Sequence, residues 1–329
     1  MNRLLFLNYS NHDACSFYRS AGIAKDLKKK GFDIDVAQIG AKTLYWSDLL
    51  MYDVVMIQRP YTADLIPFIK QIKIMGIKLW LDYDDNLLDV PEDNPAYTRY
   101  MQQNVKDNIT TVLKLADVVS VTTNALKVAY QKYNPNIKVI PNAFNDSLFM
   151  RDSQKDLPKR KPIIAWRGSD THQKDLMTYS SVNNSVDEFP EWKFLFIGYN
   201  AWFLPKKENR LFAPAADIVW YHYSLYEIAP SVMQVPLHDS PFNRAKSSIA
   251  AIEGAFAGAA VLCPYWWNIE GAVSYKDEQS YEDGLYGLLR GHINREQVAE
   301  RTWEFIMDTL RLSKVNELRV DLINNLVDK

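Results

Sequence analysis

Cysteine is almost absent from this 329-residue chain. Cys15 and Cys263 are the only two, far apart and at no metal-binding spacing. That excludes a disulfide framework and a cysteine-based metal centre, and a reduced, cytoplasmic compartment is the expectation. An excess of one charge is also missing. With 38 basic and 40 acidic residues the net charge is −2, which excludes nucleic-acid binding by bulk charge but leaves room for a local basic patch. Long apolar runs are missing too. The N-terminal run Leu4–Leu7 is too short for a signal peptide and reads as a first strand. No uncharged run approaches the ~20 residues that cross a bilayer.

What is present is apolar content of 47%, enough for two cores. The first half alternates short apolar runs with helical patterns. Strands are expected at Leu4–Leu7, Ile34–Val36, Val54–Ile57, Ile77–Asp82, Val118–Val121 and Lys138–Ile140. Helices are expected over Phe17–Lys30, Ala63–Met75 and Met101–Leu115, with glycine stops at Gly31 and Gly76 and with Asn124 capping another. Polar, proline-broken Asn145–Pro162 reads as a linker. The pattern restarts with strand Ile163–Trp166, helix Asp170–Val186 and strand Lys193–Ile197. Further strands are expected at Ile218–Trp220, Val232–Val235 and Ala260–Leu262, then helices from Tyr281 onward. Tyr199–Pro214, with Trp202, Phe203 and Phe212, reads as a long aromatic loop. Repeated strand–helix–strand units give a parallel α/β sheet. The expected organisation is residues 1–150 and 151–311 as two such domains across a cleft, with a helix over about 312–329 packing back on the first. Ligands in such folds sit beyond the carboxyl ends of the strands.

The segment Pro236–Pro264 is the most suggestive. Lys246, Ser247 and Ser248 read as a helix start, where free N–H groups and the helix dipole attract anions. Glu253, seven residues on, is expected on the same helix face. It lies in an otherwise apolar stretch, so it needs a partner: bound hydroxyls or a structural arginine. A Lys-Ser-Ser start equally suits an ordinary N-cap with a solvated lysine. Trp166-Arg167-Gly168-Ser169 follows a strand, and Asp170-Thr171-His172 opens a helix. There Gly168 admits a ligand to the backbone and Arg167 can fork a phosphate; the plain alternative is a surface arginine beside a turn. Lys174 is one turn further on. Asp82, Asp84 and Asp85 also follow a strand, with Asp89, Glu92 and Asp93 beyond. They can be read as a DxD-type Mg²⁺ or Mn²⁺ site, as carboxylates facing an acceptor hydroxyl, or as caps and solvated groups. Tyr18, Arg19 and Arg59 are placed at the cleft, either on an anionic or sugar-like group or on the acidic loop.

Five segments together resemble the retaining GT-B glycosyltransferases of glycosyltransferase family 4. They are Tyr18-Arg19, Gln58-Arg59-Pro60, the acidic run at Asp82, Val139–Phe144, and W-R-G-S-x-x-H with PFNRAKS…E…AG, which holds Asn243, Lys246 and Glu253. The resemblance, which extends to a virus-encoded branch, implies two Rossmann-like domains and a nucleotide-diphosphate sugar, UDP- favoured, on the second. Arg167 and Lys246 would hold the diphosphate, with Gly168, Ser169, His172, Lys174, Asn243, Ser247 and Ser248 around the donor and Glu253 on the ribose. The family commonly has glutamates spaced E-x7-E; Ala245 stands at the first.

The expected reaction is transfer to an acceptor hydroxyl with retention and no protein nucleophile, the cations stabilising the leaving diphosphate. Those cations make a metal unnecessary, so Mg²⁺ or Mn²⁺ is not expected to be obligatory. The acceptor is a glycan, a lipid-linked or small molecule, or a modified DNA base. The competing readings are a nucleotide-sugar epimerase and a nucleotide-sugar or glycan-binding protein without transfer, the latter supported by Ala245.

Overall fold

The computed structural model describes residues 2–10, 12–40, 46–149 and 157–328. Strands β1 (Arg3–Asn8), β2 (Asp33–Gln38), β3 (Val54–Gln58), β4 (Lys78–Tyr83), β5 (Val118–Val121) and β6 (Ile137–Val139) form one sheet in the order β2-β1-β3-β4-β5-β6. Strands β7 (Lys161–Arg167), β8 (Lys193–Ile197), β9 (Arg210–Ala213), β10 (Pro230–Gln234), β11 (Ala260–Pro264) and β12 (Val273–Tyr275) form a second, β12-β11-β10-β7-β8-β9. Every pairing in both is parallel.

The central strands read as largely apolar runs because both faces of each sheet are covered there, whereas the edge strands β2, β6, β9 and β12 are only partly buried. In β1, Leu5 and Leu7 pack under the helices Leu65–Ile74 and Gln103–Leu115. Leu4 and Phe6 point the other way, toward Ala21–Lys29 and Leu312–Val327. That last helix reaches the first sheet because the chain crosses back beside its outward crossing. Phe144 N–H donates to Leu310 O at 2.8 Å and Leu312 N–H donates to Phe144 O at 2.7 Å. Phe144 itself is buried among Phe149, Phe256 and Trp303.

Several local expectations need correction. The helix expected over Phe17–Lys30 is two, Ala14–Arg19 and Ala21–Lys29, broken at Ser20, whose hydroxyl bonds Gln58 Oε1 at 2.9 Å. Thr123, not Asn124, caps the helix Asn124–Tyr130, accepting from Leu126 N–H. Ile218–Trp220 is not a strand but the start of helix Ile218–Ile228. Asp217 caps it, and Ile218, Tyr221, His222 and Leu225 recur at helical spacing on its buried face. The aromatic loop hides β9, and the short edge strand β12 gave no signal. Pro162 lies inside β7; residues 150–156 of the expected linker fall outside the described residues.

The Leu312–Val327 helix carries a buried polar pair into its contact. Asn316 Nδ2 donates to Asp26 Oδ2 at 2.7 Å, and Arg319 Nη1 donates to Asn316 Oδ1 at 2.8 Å. Arg319 is 1% exposed, and its Nη2 has no hydrogen-bond partner among the described residues. Burying a charge without full pairing is costly, and an apolar replacement of similar volume is often neutral or stabilising. Arg319→Met is therefore expected to keep or raise the urea midpoint of unfolding. Asn316→Leu, which strips Asp26 of its donor, is expected to lower stability by about 1–3 kcal/mol.

Candidate functional site

The carboxyl ends of both sheets face one seam. Contacts across it tie residues distant in sequence. Thr123 Oγ1 donates to Ala245 O at 3.0 Å, Asn142 Nδ2 donates to Ser247 Oγ at 2.8 Å, and Lys174 Nζ pairs with Asp93 at 2.5 Å. A shallow cleft of about 360 Å³, lined by Asp93, Pro95, Asp170, Gln173, Lys174, Met177 and Thr178, opens beside that last pair.

Arg167 ends β7, and Gly168 turns the chain. A Cβ on Gly168 would stand 2.6 Å from the Trp166 ring, so only glycine fits there without displacing the tryptophan. Arg167 Nε donates to Glu253 Oε2 at 2.6 Å, the guanidinium also meets the Tyr221 hydroxyl, and the side chain is a quarter exposed at the seam. Glu253 is wholly buried in helix Ile249–Phe256. It also accepts from Tyr18 Oη at 2.9 Å on Oε1 and Tyr221 Oη at 3.1 Å on Oε2. Burial pulls Arg167 down, and Glu253 with Tyr221 and Tyr18 more than restores it, so its pKa lies above the usual arginine value. Burial and then Glu253 push the Tyr18 and Tyr221 hydroxyls up. All three residues are held in their ordinary charge state. Of the two partners the sequence left open for Glu253, the structure supplies the arginine.

Lys246 and Glu253 do not share a helix face. The helix starts at Ile249, and Lys246 sits in the turn before it, after the short helix Pro241–Arg244. Its Nζ lies 4.7 Å above the Phe242 ring, and among the described residues it forms no ion pair. Ser248 is the N-cap residue but makes no side-chain cap bond. The Ala251 N–H already bonds Ser248 O at 3.0 Å, so the Ile249 and Ala250 N–H groups are the ones an anion at the seam could take. Arg167, Lys246 and this helix end are the cationic side of the site.

The other expected donor residues divide. Ser169 bonds Thr171 and stays exposed. Lys174 is taken by Asp93. Asn243 is buried and holds Asp175 Oδ1 at 2.7 Å and His238 O at 2.9 Å, so it shapes the loop rather than facing the seam. His172 Nδ1 donates to Asp175 Oδ2 at 2.8 Å. Sequence reasoning missed Asp175 and His238. Only the three-residue spacing from His172 to Asp175 could have pointed to the first.

The acidic run is not an open cluster. Asp82 is 1% exposed and forms a two-point pair with Arg19, Nε to Oδ1 at 2.9 Å and Nη2 to Oδ2 at 2.6 Å, with Ser120 Oγ on the same Oδ2. Asp84 pairs with Arg59, which adopts φ +50°. Burial raises the Asp84 carboxyl, but Arg59 and Arg19 outweigh it and hold it below its ordinary value. Asp85 Oδ1 accepts from Asn86 N–H at 3.0 Å. Of the alternatives open for Arg19 and Arg59, both take the acidic loop, and Asp82 is corrected from a seam-facing carboxylate to a buried structural partner. No set of three or more His, Cys, Asp or Glu that could hold a metal gathers among the described residues. Breaking one partner of a buried pair leaves a bare charge. Asp82→Ala is expected to lower unfolding free energy by about 3–5 kcal/mol in urea titration; a loss under about 1 kcal/mol would return Asp82 to the list of free carboxylates.

No family model and no curated protein matches the sequence. Solved structures do. An alpha-glucosyltransferase in complex with UDP and a 13-mer DNA containing an HMU base superimposes with TM-score 0.68 at 11% identity, all of both chains covered. Anabaena Alr3699/HepE in complex with UDP and glucose gives TM-score 0.66 at 11% identity, over 99% of this chain and 100% of that one. The same protein with UDP-glucose gives 0.66 at 12%. The chain has the GT-B fold of these glycosyltransferases, with two six-stranded parallel sheets facing one seam.

Proposed function

We propose that this protein is a glycosyltransferase that moves a sugar from a nucleotide-diphosphate sugar, a UDP-sugar in the first instance, to an acceptor hydroxyl. The observation that carries this reading is the pair of cations at the seam. Arg167, a quarter exposed at the seam, and Lys246, with no carboxylate partner among the described residues, flank a helix start with no side-chain cap in a GT-B fold. Solved neighbours of that fold hold UDP or UDP-glucose. The leaving diphosphate gains charge as the glycosidic bond breaks, and preorganised cations there lower the barrier. The family 4 lineage, a virus-encoded branch, retention and the absence of an obligatory metal belong to this proposal, as do the two-domain division near residue 150 and a cytoplasmic location. No described helix is long and apolar enough to cross a membrane.

Roles follow from the contacts. Arg167 and Lys246 stabilise the diphosphate, with Gly168, Ser169 and His172 beside it. Glu253, which the family pattern assigns to ribose, here aligns Arg167 through the 2.6 Å bond, and ribose can reach it only if Tyr18 withdraws. Arg59 and Asp84 line the acceptor side. A hydroxymethylated DNA base is one acceptor class to test, since the alpha-glucosyltransferase neighbour holds DNA with an HMU base.

A thermal-shift panel of UDP-, GDP-, ADP- and dTDP-sugars is expected to show one nucleotide series raising the melting temperature. With that donor and an acceptor panel, Arg167→Ala is expected to lower kcat by about 10²–10³-fold. Full turnover in the variant would remove Arg167 from the reaction. Conversion of the donor with no acceptor present would move the assignment to an epimerase. Loss of activity in EDTA with recovery in Mn²⁺ would overturn the metal-free reading.

A further inference from the structure

Asp175, on the helix Gln173–Thr178, is 2% exposed and gathers more hydrogen bonds than burial alone demands. His172 Nδ1 meets Oδ2 at 2.8 Å. His238 Nδ1 and N–H meet Oδ1 at 2.6 and 3.1 Å, and Asn243 Nδ2 meets the same oxygen at 2.7 Å. The Asn243 amide and the His238 backbone would satisfy a structural carboxylate. Two imidazoles turned to it by the same nitrogen are a different matter. An ionised carboxylate only accepts, so each ring carries its proton on Nδ1 and presents Nε2 elsewhere. Burial raises the Asp175 carboxyl, and the bonds from His172 and His238 outweigh it, keeping it ionised.

For His172 the outward edge can be placed. Its Cδ2, next to Nε2, lies 3.2 Å from where a Cβ on Gly168 would stand, so this edge rests on the turn that follows Arg167. Three charges bear on the ring: Asp175 on the adjoining helix, Arg167 at the end of β7, and Lys246 in the turn before the Ile249–Phe256 helix. Asp239 and Tyr179 act around His238 and Asp175 from the far side. Burial first, then Lys246, push His172 below its ordinary value, and Asp175 restores only part. Without a bound anion the ring is therefore neutral, with Lys246 and Arg167 both opposing its protonation. A diphosphate reverses that balance, because its negative charge favours the imidazolium, whose Nε2–H can then donate to a phosphoryl oxygen.

We propose that His172 takes up a proton at Nε2 when the diphosphate of a nucleotide sugar settles between Arg167 and Lys246, and that Asp175 is the positioning residue that holds the ring for it. This rests on the transferase reading above. The sign follows from linkage. Binding raises the ring's affinity for the proton, so donor affinity is greatest at low pH and falls as pH rises through the bound-state value.

The test is calorimetric titration of the full-length protein with UDP-glucose at pH 7 in two buffers of different protonation enthalpy. The diesterified diphosphate of UDP-glucose has no monoester proton to exchange near neutrality, so proton uptake belongs to the protein. Wild type is expected to take up about half to one proton per UDP-glucose bound. His172→Gln is expected to abolish uptake and weaken binding about tenfold at pH 6 but much less at pH 8.5. Asp175→Asn is expected to reduce uptake with the ring still present; if that variant does not fold, His172→Gln decides alone. Tight binding with no proton exchange, or uptake unchanged in His172→Gln, overturns this inference and leaves the transferase reading standing. Failure of UDP-glucose and of every other nucleotide sugar in the panel to bind overturns both.

Discussion

The seam is built outward from the buried pair of Arg19 and Asp82. Arg19 bonds both Asp82 oxygens and also donates from Nη1 to Ile140 O at 2.7 Å and Asn142 Oδ1 at 3.1 Å, so one guanidinium pins the Ala14–Arg19 helix to the ends of β4 and β6. The residue before it is Tyr18. With Arg19 fixed, Tyr18 has one direction left, across the seam to Glu253 and His222. Glu253 in turn fixes Arg167. A charge pair inside the first half thereby sets the aim of a cation in the second. Asn142, bonded on one side to Arg19, reaches Ser247 on the other, so the same anchor steadies the turn that carries Lys246.

Much of this was legible in the sequence because parallel sheets announce themselves. Their strands are apolar on both faces and their helices stop at glycine, and ten of the twelve strands fall on runs such as Val54–Ile57 and Lys193–Ile197. The failures have physical reasons. Ile218–Trp220 is apolar and aromatic, but a helix with one buried face looks the same over three residues; the cap at Asp217 and the spacing to Leu225 separate the cases. Strands β9 and β12 are short edges, where little burial leaves little pattern.

The chemistry was harder to read than the fold. Sequence identifies a charge but not its partner. Asp82, Asp84, Arg19 and Arg59 were all recognised as notable, yet their mutual pairing is a property of strand order, with β3 beside β4 and the Ala14–Arg19 helix at the ends of both. Lys246 stood out for the right reason, an anion-binding turn, while the face it shares with Glu253 failed because the helix begins three residues later than its first polar group. Asp175 was passed over because one aspartate inside a helix carries no signal until two histidines and an asparagine converge on it.

Ala245 restricts what this stretch of the seam can hold. At this position the chain buries a methyl group in the apolar cluster of the opposite half, and the residue's own carbonyl accepts from Thr123 Oγ1. The residue acts as mortar between the halves. A carboxylate placed there would be buried among apolar side chains and would wedge the seam apart. A single glutamate here would therefore loosen the joint between the halves before it could offer a contact to any ligand.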